Sequence, residues 1–341
     1  MGRAGLNRKT AYATLTMLLA AEAADCDILW EIKGPIAAFQ HHRGITHSFV
    51  GVPFMAAATL VGVYILHRLW LGRRKAPPGC PPVRWGLLYW LALLAALSHL
   101  LLDYTTAYGI RLFEPFNYRW YSWDIMFIIE PVMLAVLVVG LALPWFFGLI
   151  NQEVGARDRG PRGRGGAIFA LICVVILWGY RDFQHRRALN AMNAVTYNGA
   201  TATRMAAYPY PVTPYRWLGV VETADFFQTF TVNSRRPEVD PNGDARTYYK
   251  PEETQAAEVA KASYFGRVYL DWAAFPLVET QMLEGEPKGY LVDFQDLRYA
   301  YPGRTVLGGF VLLSPDLQVE AQGANSDRPA ALQKLGRPGS R

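Results

Sequence analysis

The sequence predicts a mainly α-helical polytopic membrane domain with four or five hydrophobic helices, followed by a soluble α+β domain. The 341 residues are 52% hydrophobic, and the apolar residues concentrate in the first 180 positions, whereas the remainder has the mixed composition of a soluble domain. Four apolar segments also approach the length of ~20 residues that crosses a bilayer. We therefore expect a membrane domain over 1–181, an α+β domain over 182–322 and a disordered tail over 323–341.

The predicted spans are uneven in strength. The strongest is SFVGVPFMAAATLVGVYILHRLW, and the four together cover 48–70, 86–104, 125–150 and 167–181. A fifth segment, 11–24, is too short and too polar to be predicted as a span.

Two short loops rich in lysine and arginine predict the orientation. LGRRKAPPGCPPVR (71–84) and NQEVGARDRGPRGRGG (151–166) should both be cytoplasmic, because positive charge in short loops stays inside. Alternation then places 25–47, 103–124 and everything after about residue 181 outside. The cluster of Arg181, Arg186 and Arg187 opposes this orientation, but two basic loops outweigh one cluster. The sequence thus predicts a multi-pass membrane protein with an extracytoplasmic C-terminal domain.

The formal charge of +6 does not predict a nucleic-acid partner, because the arginines lie in short loops beside apolar segments and act as topology signals. Membrane lipids are the expected partners. No cleavable signal peptide is predicted, since the first apolar stretch ends in Glu22, Asp25 and Asp27 rather than in small residues.

The C-terminal part alternates strand patterns with turn residues. RWLGVVET, FFQTFTVNS, YLVDFQDLRYA and TVLGGFVLLS predict strands, RDFQHRRALNAMNA predicts a helix, and PEETQAAEVAKAS predicts another with an acidic first turn. These elements predict the α+β domain.

Histidines and carboxylates gather at the predicted outer ends of the apolar segments. His99 and Asp103 are four residues apart on one helix face, so both can reach one cation, or the carboxylate can hold the imidazole. Ionisable side chains at this depth are costly unless they are paired or bound, which favours a functional role. The competing interpretation is an interfacial helix end with a solvated aspartate.

The stretch HHRGITHS brings further imidazoles to the same side. His42 and His47 are five apart across Gly44, a spacing that suits a turn before a helix that begins near Ser48. Arg43 there can face an anionic group, with a helix N-terminus adding positive dipole charge. The alternative is an interfacial loop whose histidines only anchor at the level of the headgroups.

Other ionisable residues are weaker candidates. Asp25 and Asp27 point to opposite sides if the chain is extended, so at most one is expected to be a direct ligand. His41, His67 and His185 are expected to be bystanders.

Taken together, HRGITHS, SHLLLDYTTAYGIRLFEPF and RWYSWDIMFIIEP closely resemble the YdjM-like family of inner-membrane metal-dependent hydrolases over roughly residues 3–150. The resemblance implies a helical membrane domain related to zinc-dependent phospholipase C and single-strand nucleases, in which histidines and aspartates of several helices hold metal. It implies metal ligands at positions that are, in this chain, Asp27, His42, His47, His99 and Asp103.

The sequence departs from the family pattern in two places. The family's PDxD is here AADCD, without the proline, and members usually carry a short helix with Thr-His before the stretch that here reads RAGL. We expect that the start codon lies further upstream, and that the chain as given binds metal poorly.

The predicted function is metal-dependent hydrolysis at the extracytoplasmic face of the membrane. A divalent ion, zinc in the first place with manganese or iron as alternatives, lowers the pKa of bound water toward ~7 and polarises a phosphoryl or acyl oxygen. Asp25 or Asp103 is expected as general base and Arg43 as the group that faces an anion, which favours a phosphoester or lipid-like substrate. The rival hypothesis is a membrane-anchored binding or scaffold protein with a degenerate metal site. A transporter is disfavoured, because no inverted repeat is visible.

Overall fold

The chain forms two compact units. The computed structural model describes residues 1–73, 79–153, 163–236, 239, 243–283, 288–302 and 307–334. Unit 1 comprises Met1–Ile28, His42–Gln184 and Tyr210–Pro214. Unit 2 comprises Leu29–His41, His185–Pro209 and Tyr215–Arg341. The short segment 29–41 therefore belongs to unit 2, although unit 1 residues flank it in sequence.

Unit 1 is helical. Its helices are α1 (Ala13–Glu22), α3 (Gly51–Leu69), α4 (Trp85–Tyr104), α5 (Pro131–Glu153) and most of α6 (Arg164–Asn193). Two 3₁₀ segments, Ala23–Lys33 and Ile45–His47, lie between α1 and α3, and α2 (Pro35–His41) falls between them.

Three helices are long and apolar enough to cross a membrane, namely α3, α4 and α6. They confirm the prediction of apolar spans at 48–70, 86–104 and 167–181. The predicted span 125–150 corresponds to α5, which begins only at Pro131 and whose described apolar part, Pro131–Ala142, is shorter than a span. Proline at the first helical position explains the late start, because it needs no hydrogen-bonded N–H there.

Small side chains let α1, α3 and α4 pack closely. Ala13, Ala20, Ala56, Ala92 and Ala95 are all buried in one cluster, and small residues allow helix backbones to approach each other in membrane proteins. The start of α3, at Gly51, lies at the same end of this helix group as the end of α4, at Tyr104. The loop before α3 and the loop after α4 can therefore bring polar side chains together.

Unit 1 also contains a buried ion pair, which Glu130 and Arg181 form. The Glu130 carboxylate accepts hydrogen bonds from Arg181 Nη2 at 2.6 Å and from the backbone N–H of Val212 at 3.2 Å. Arg181 also donates to the carbonyls of Tyr210 and Thr213. Arg181 is fully buried. Because its charge is paired with Glu130 inside unit 1, it no longer counts as a topology signal against the predicted orientation.

Unit 2 contains two antiparallel four-stranded sheets, each with its strands in sequential order. The first holds β1 (Arg204–Pro209), β2 (Arg216–Glu222), β3 (Phe226–Asn233) and β4 (Arg246–Tyr249). The second holds β5 (Pro276–Leu283), β6 (Gly289–Asp296), β7 (Gly308–Leu313) and β8 (Val319–Ala324). The four predicted strands are thus confirmed as β2, β3, β6 and β7, whereas β1, β4, β5 and β8 were not predicted.

The helices of unit 2 are α2, α7 (Gln255–Ala262), α8 (Tyr264–Trp272), α9 (Arg328–Lys334) and the end of α6. The Thr254 hydroxyl caps α7 by accepting from the Ala257 N–H at 3.1 Å. Phe39 of α2 packs against the rings of Tyr269 and Trp272. Helix α9 lies in the segment expected to be disordered, and the part of that tail from residue 335 onward lies outside the described residues.

Candidate metal centre

Local structure before α3 fixes His47 in the interior of unit 1. Residues Ile45–His47 form a 3₁₀ turn, and the Ser48 hydroxyl then accepts from the Gly51 N–H at 2.9 Å to begin α3. A side chain at Gly51 would strike the carbonyl oxygen of Ile45, since a Cβ there would lie 1.8 Å from it. His47 is completely buried as a result.

The last turns of α4 bring two more groups to His47. His99 Nε2 lies 3.2 Å from His47 Nε2. Asp103 Oδ2 lies 3.4 Å from the Nε2 atoms of both histidines. The i, i+4 pair predicted from the sequence therefore faces His47.

Asp25 completes a group of three potential ligands. Its Oδ1 lies 3.3 Å from His47 Nε2 and 3.5 Å from His99 Nε2. Asp25, His47 and His99 thus offer one ligand atom each, and these atoms are close enough to hold one ion. Nitrogen and oxygen ligands at zinc distances stand about 3.3–3.5 Å apart in a tetrahedral site, which matches these separations.

One carboxylate oxygen of Asp103 lies beside these ligand atoms and lacks a hydrogen-bond donor among the described residues. Its Oδ1 accepts from Arg43 Nη2 at 2.9 Å. Its Oδ2 is buried, faces both imidazoles and has no hydrogen-bond partner among the described residues. A buried carboxylate oxygen without a donor is costly, and a cation beside it would relieve that cost.

Asp27 lies behind the histidines rather than among the ligand atoms. It is buried, and its Oδ2 is 3.5 Å from His47 Nδ1, on the opposite side of that ring from Nε2. The same carboxylate is 3.3 Å from His42 Nδ1 and accepts from the backbone N–H of Arg43 at 2.8 Å. This is the arrangement in which a carboxylate orients a metal-binding histidine.

Arg43 links Asp27 and Asp103. Its backbone has a φ of 55°, in the left-handed region that favours glycine. Its N–H bonds Asp27, while its guanidinium bonds Asp103 and the Thr106 hydroxyl and lies over the Tyr108 ring at 4.8 Å. Arg43 therefore holds parts of the cluster in place.

The charges of the cluster are unbalanced. Asp25, Asp27 and Asp103 carry three negative charges and Arg43 carries one positive charge, which leaves −2 when the histidines are neutral. A divalent cation would balance that charge.

The contacts within this group shift the pKa values of Asp25 and His47. A hydrogen bond with His47 lowers the pKa of Asp25, against the opposing effect of burial. Burial lowers the pKa of His47, but the neighbouring carboxylates of Asp103 and Asp25 outweigh it, so that the pKa is raised overall.

The structure brings all predicted site residues into one neighbourhood of unit 1, in two layers. Asp25, His47, His99 and Asp103 surround a common point, whereas Asp27, His42 and Arg43 contact those residues from outside. The roles predicted for them, with Asp27 and His42 as ligands and Asp25 and Arg43 as catalytic groups, stay predictions.

The three histidines predicted to be bystanders have other neighbours. His41 stacks on Trp30, His67 lies 3.1 Å from the Tyr12 hydroxyl, and His185 lies against Trp217. Two contributors were not predicted: the hydroxyl of Thr46, 3.0 Å from His47 Nδ1, and Thr106. The TT of LLDYTTAYG directly after Asp103 was the available signal for Thr106.

Comparison with known proteins supports a membrane family. An uncharacterized protein of Bacillus subtilis (strain 168), YfhP, is 24% identical over 145 residues, which cover 42% of this chain and 40% of that relative. The match thus spans less than half the length of that relative. No solved structure matches the chain.

The family comparison covers the whole of the site. The sequence model of the YdjM inner membrane protein family matches residues 1–188. This range contains α3, α4 and the last candidate span up to its final turns. It also contains every residue of the Asp–His cluster, by which we mean Asp25, Asp27, His42, Arg43, His47, His99 and Asp103. The chain therefore belongs to the YdjM inner membrane protein family.

Proposed function

We propose that the protein is a membrane-embedded, metal-dependent hydrolase whose ion is held by Asp25, His47, His99 and Asp103. The observation that carries this proposal is the set of ligand atoms around one point, with separations of 3.2–3.5 Å, beside a buried carboxylate oxygen that has no donor in the part of the chain that the structure describes. Imidazole and carboxylate ligands suit zinc, and also manganese and iron. When bound, such an ion acidifies a water molecule and polarises the oxygen under attack.

The remaining residues of the cluster have supporting roles in this proposal. Asp27 holds the Nδ1 proton of His47, which leaves Nε2 free for the ion. Arg43 neutralises and orients Asp103 through Oδ1.

His42 is the proposed proton acceptor. Its side chain is 40% exposed, and its Nδ1 faces the Asp27 carboxylate at 3.3 Å. A histidine paired in this way through Nδ1 can take up a proton at Nε2. The sequence suggested His42 as a metal ligand and Asp25 as the general base, and this proposal exchanges the two roles. The reason is that Asp25 Oδ1 lies beside the Nε2 atoms of His47 and His99, whereas His42 contacts Asp27.

The setting favours a phosphoester. Two considerations support this substrate class: the relation to zinc-dependent phospholipase C and single-strand nucleases that the resemblance to the YdjM-like family implies, and the predicted location of the site at the outer ends of two candidate spans. We further propose that the cluster and unit 2 are extracytoplasmic, which the two basic loops at 71–84 and 151–166 support.

Metal analysis tests the proposal directly. Purified protein dialysed against a saturating concentration of zinc or manganese should bind about one ion per chain above the buffer level, and His47→Ala and His99→Ala should each lose it. His67→Ala is the matched control and should retain the ion, since His67 contacts Tyr12 instead. Equal retention by all three variants would contradict the proposed site and favour a scaffold role.

A further inference from the structure

Three phenylalanines beside the cluster are exposed. Phe49, Phe113 and Phe116 are 50%, 45% and 85% accessible. The rings of Phe49 and Phe113 meet edge to face, with centroids 5.6 Å apart, and the N–H of Phe116 bonds the Phe113 carbonyl at 2.9 Å. We name these three residues the phenylalanine patch. Clustered exposed aromatic side chains mark an interaction surface.

Backbone hydrogen bonds tie the patch to the ligand loop. The N–H of Phe49, two residues after His47, donates to the Leu112 carbonyl at 2.9 Å. The N–H of Arg111 donates to the Arg43 carbonyl at 3.2 Å. Any surface that holds the patch therefore also fixes the depth of the cluster.

The phenylalanine patch lies at the ends of two candidate spans, and this position indicates which partner covers it. Phe49 immediately precedes α3 and the loop with Phe113 and Phe116 follows α4, and both helices are candidate spans. Phe54, on the first turn of α3, is also exposed. Aromatic side chains at the ends of spans lie at the level of the lipid headgroups. A bilayer is thus the occupant that is continuous with the rest of this surface.

We infer that the phenylalanine patch inserts into the bilayer surface and holds the Asp–His cluster at the level of the headgroups, so that the substrate is the phosphoester of a lipid that remains in the bilayer. The exposed Arg119, three residues after Phe116, adds a positive charge suited to an anionic headgroup. The insertion stands on the geometry alone, whereas the substrate class rests on the proposed function.

A depth measurement tests the insertion without any activity. Phe116→Cys, in a background with the three native cysteines changed to serine, is labelled with a bimane and reconstituted in phosphatidylethanolamine–phosphatidylglycerol vesicles. Nitroxide-labelled lipids should quench it as they quench the same label at Phe54→Cys, and aqueous iodide should not. Quenching by iodide with none by the lipids would overturn the insertion.

An activity measurement then tests the substrate class. The probes are bis(p-nitrophenyl) phosphate in solution and fluorescent phosphatidylglycerol in vesicles. The triple variant Phe49→Ser, Phe113→Ser, Phe116→Ser should lose at least about tenfold in rate on the vesicle lipid and less than about twofold on the soluble ester. Phe169→Ser, which removes an exposed phenylalanine from α6, should change neither rate.

The outcomes separate the two proposals. Equal losses on both probes, or no loss on either, would overturn the inferred substrate class. If the unchanged protein hydrolyses the soluble ester but not the vesicle lipid, that class fails while the hydrolase stands. If it hydrolyses neither while the label is quenched by lipid, the hydrolase proposal fails and the insertion stands.

Discussion

Two aspartates, one in each unit, differ in how completely hydrogen bonds satisfy their carboxylates. Asp296 in unit 2 accepts four hydrogen bonds, from the N–H groups of Ala274, Phe275 and Arg298 and from Arg298 Nε. Asp103 in unit 1 bonds Arg43 through Oδ1, whereas its Oδ2 has no donor among the described residues. Both carboxylates are paired with an arginine, so the pairing alone does not distinguish them.

The difference teaches how a structural charge can be told from a functional one. Burial lowers the pKa of Arg298, but Asp296 and the neighbouring tyrosines outweigh this effect and raise it overall, so the guanidinium stays charged in a closed network. In the Asp–His cluster, three carboxylates meet one arginine, and the excess negative charge surrounds one point. Saturated networks stabilise a fold, whereas unsaturated ones indicate where a ligand binds.

The largest expected effect follows from breaking the saturated network. Asp296→Ala leaves the buried Arg298 guanidinium without its partner, which should lower the free energy of unfolding by about 3–5 kcal/mol. Denaturant unfolding followed by tryptophan fluorescence measures this loss in the full chain. The exposed Asp316→Ala is the control and should cost less than about 0.5 kcal/mol. A loss below about 1 kcal/mol for Asp296→Ala would contradict the comparison.

A smaller effect should come from filling the unsaturated cluster. Zinc at about 100 times its dissociation constant should stabilise the protein by about 2.7 kcal/mol, because it binds only the folded state. Thermal unfolding with zinc and with EDTA measures the difference. His99→Ala should abolish the stabilisation and Asp316→Ala should keep it. The same rise in His99→Ala would mean that zinc binds elsewhere.

The smallest of the three effects concerns the outer carboxylate. Asp27→Asn keeps the shape of the side chain but weakens its hold on His47 Nδ1, so metal affinity should fall about 10- to 100-fold. Competition with a fluorescent chelator measures the affinity. Glu31→Gln, an exposed change in the same 3₁₀ segment, should leave it unaltered. Complete loss of binding in Asp27→Asn would instead make Asp27 a direct ligand, as the sequence first suggested.

Much of the cluster was predictable because helical periodicity is regular. His99 and Asp103 are four apart in an apolar helix, and that spacing alone places them on one face. The roles of Asp25 and Asp27 were less accessible. Extended backbone would turn two such residues to opposite sides, but Ala23–Lys33 is a 3₁₀ segment with three residues per turn, so both carboxylates reach the histidines from different directions.

The strands show the same limit in unit 2. The apolar cores of β2, β3, β6 and β7 predicted those strands, whereas β4 has only four residues, and β1 and β5 each have a proline at one end. Short strands at sheet edges carry little periodic signal, and they form because the neighbouring strand offers its hydrogen bonds. No local pattern could show that 29–41 packs in unit 2, since its partners lie far along the chain.

The position of α2 in unit 2 has a consequence for the order of synthesis. Gln40 accepts a hydrogen bond from the Tyr264 hydroxyl, 224 residues later in the sequence. At translation rates of about 5–20 residues per second, α2 waits roughly 10–45 s for that partner to be made. During this interval the exposed Leu29 and Ile32, which precede α2 in unit 2, have no later part of that unit to join. A nascent chain that is released before residue 264 would therefore carry an unpaired helix between two residues of its own site, Asp27 and His42.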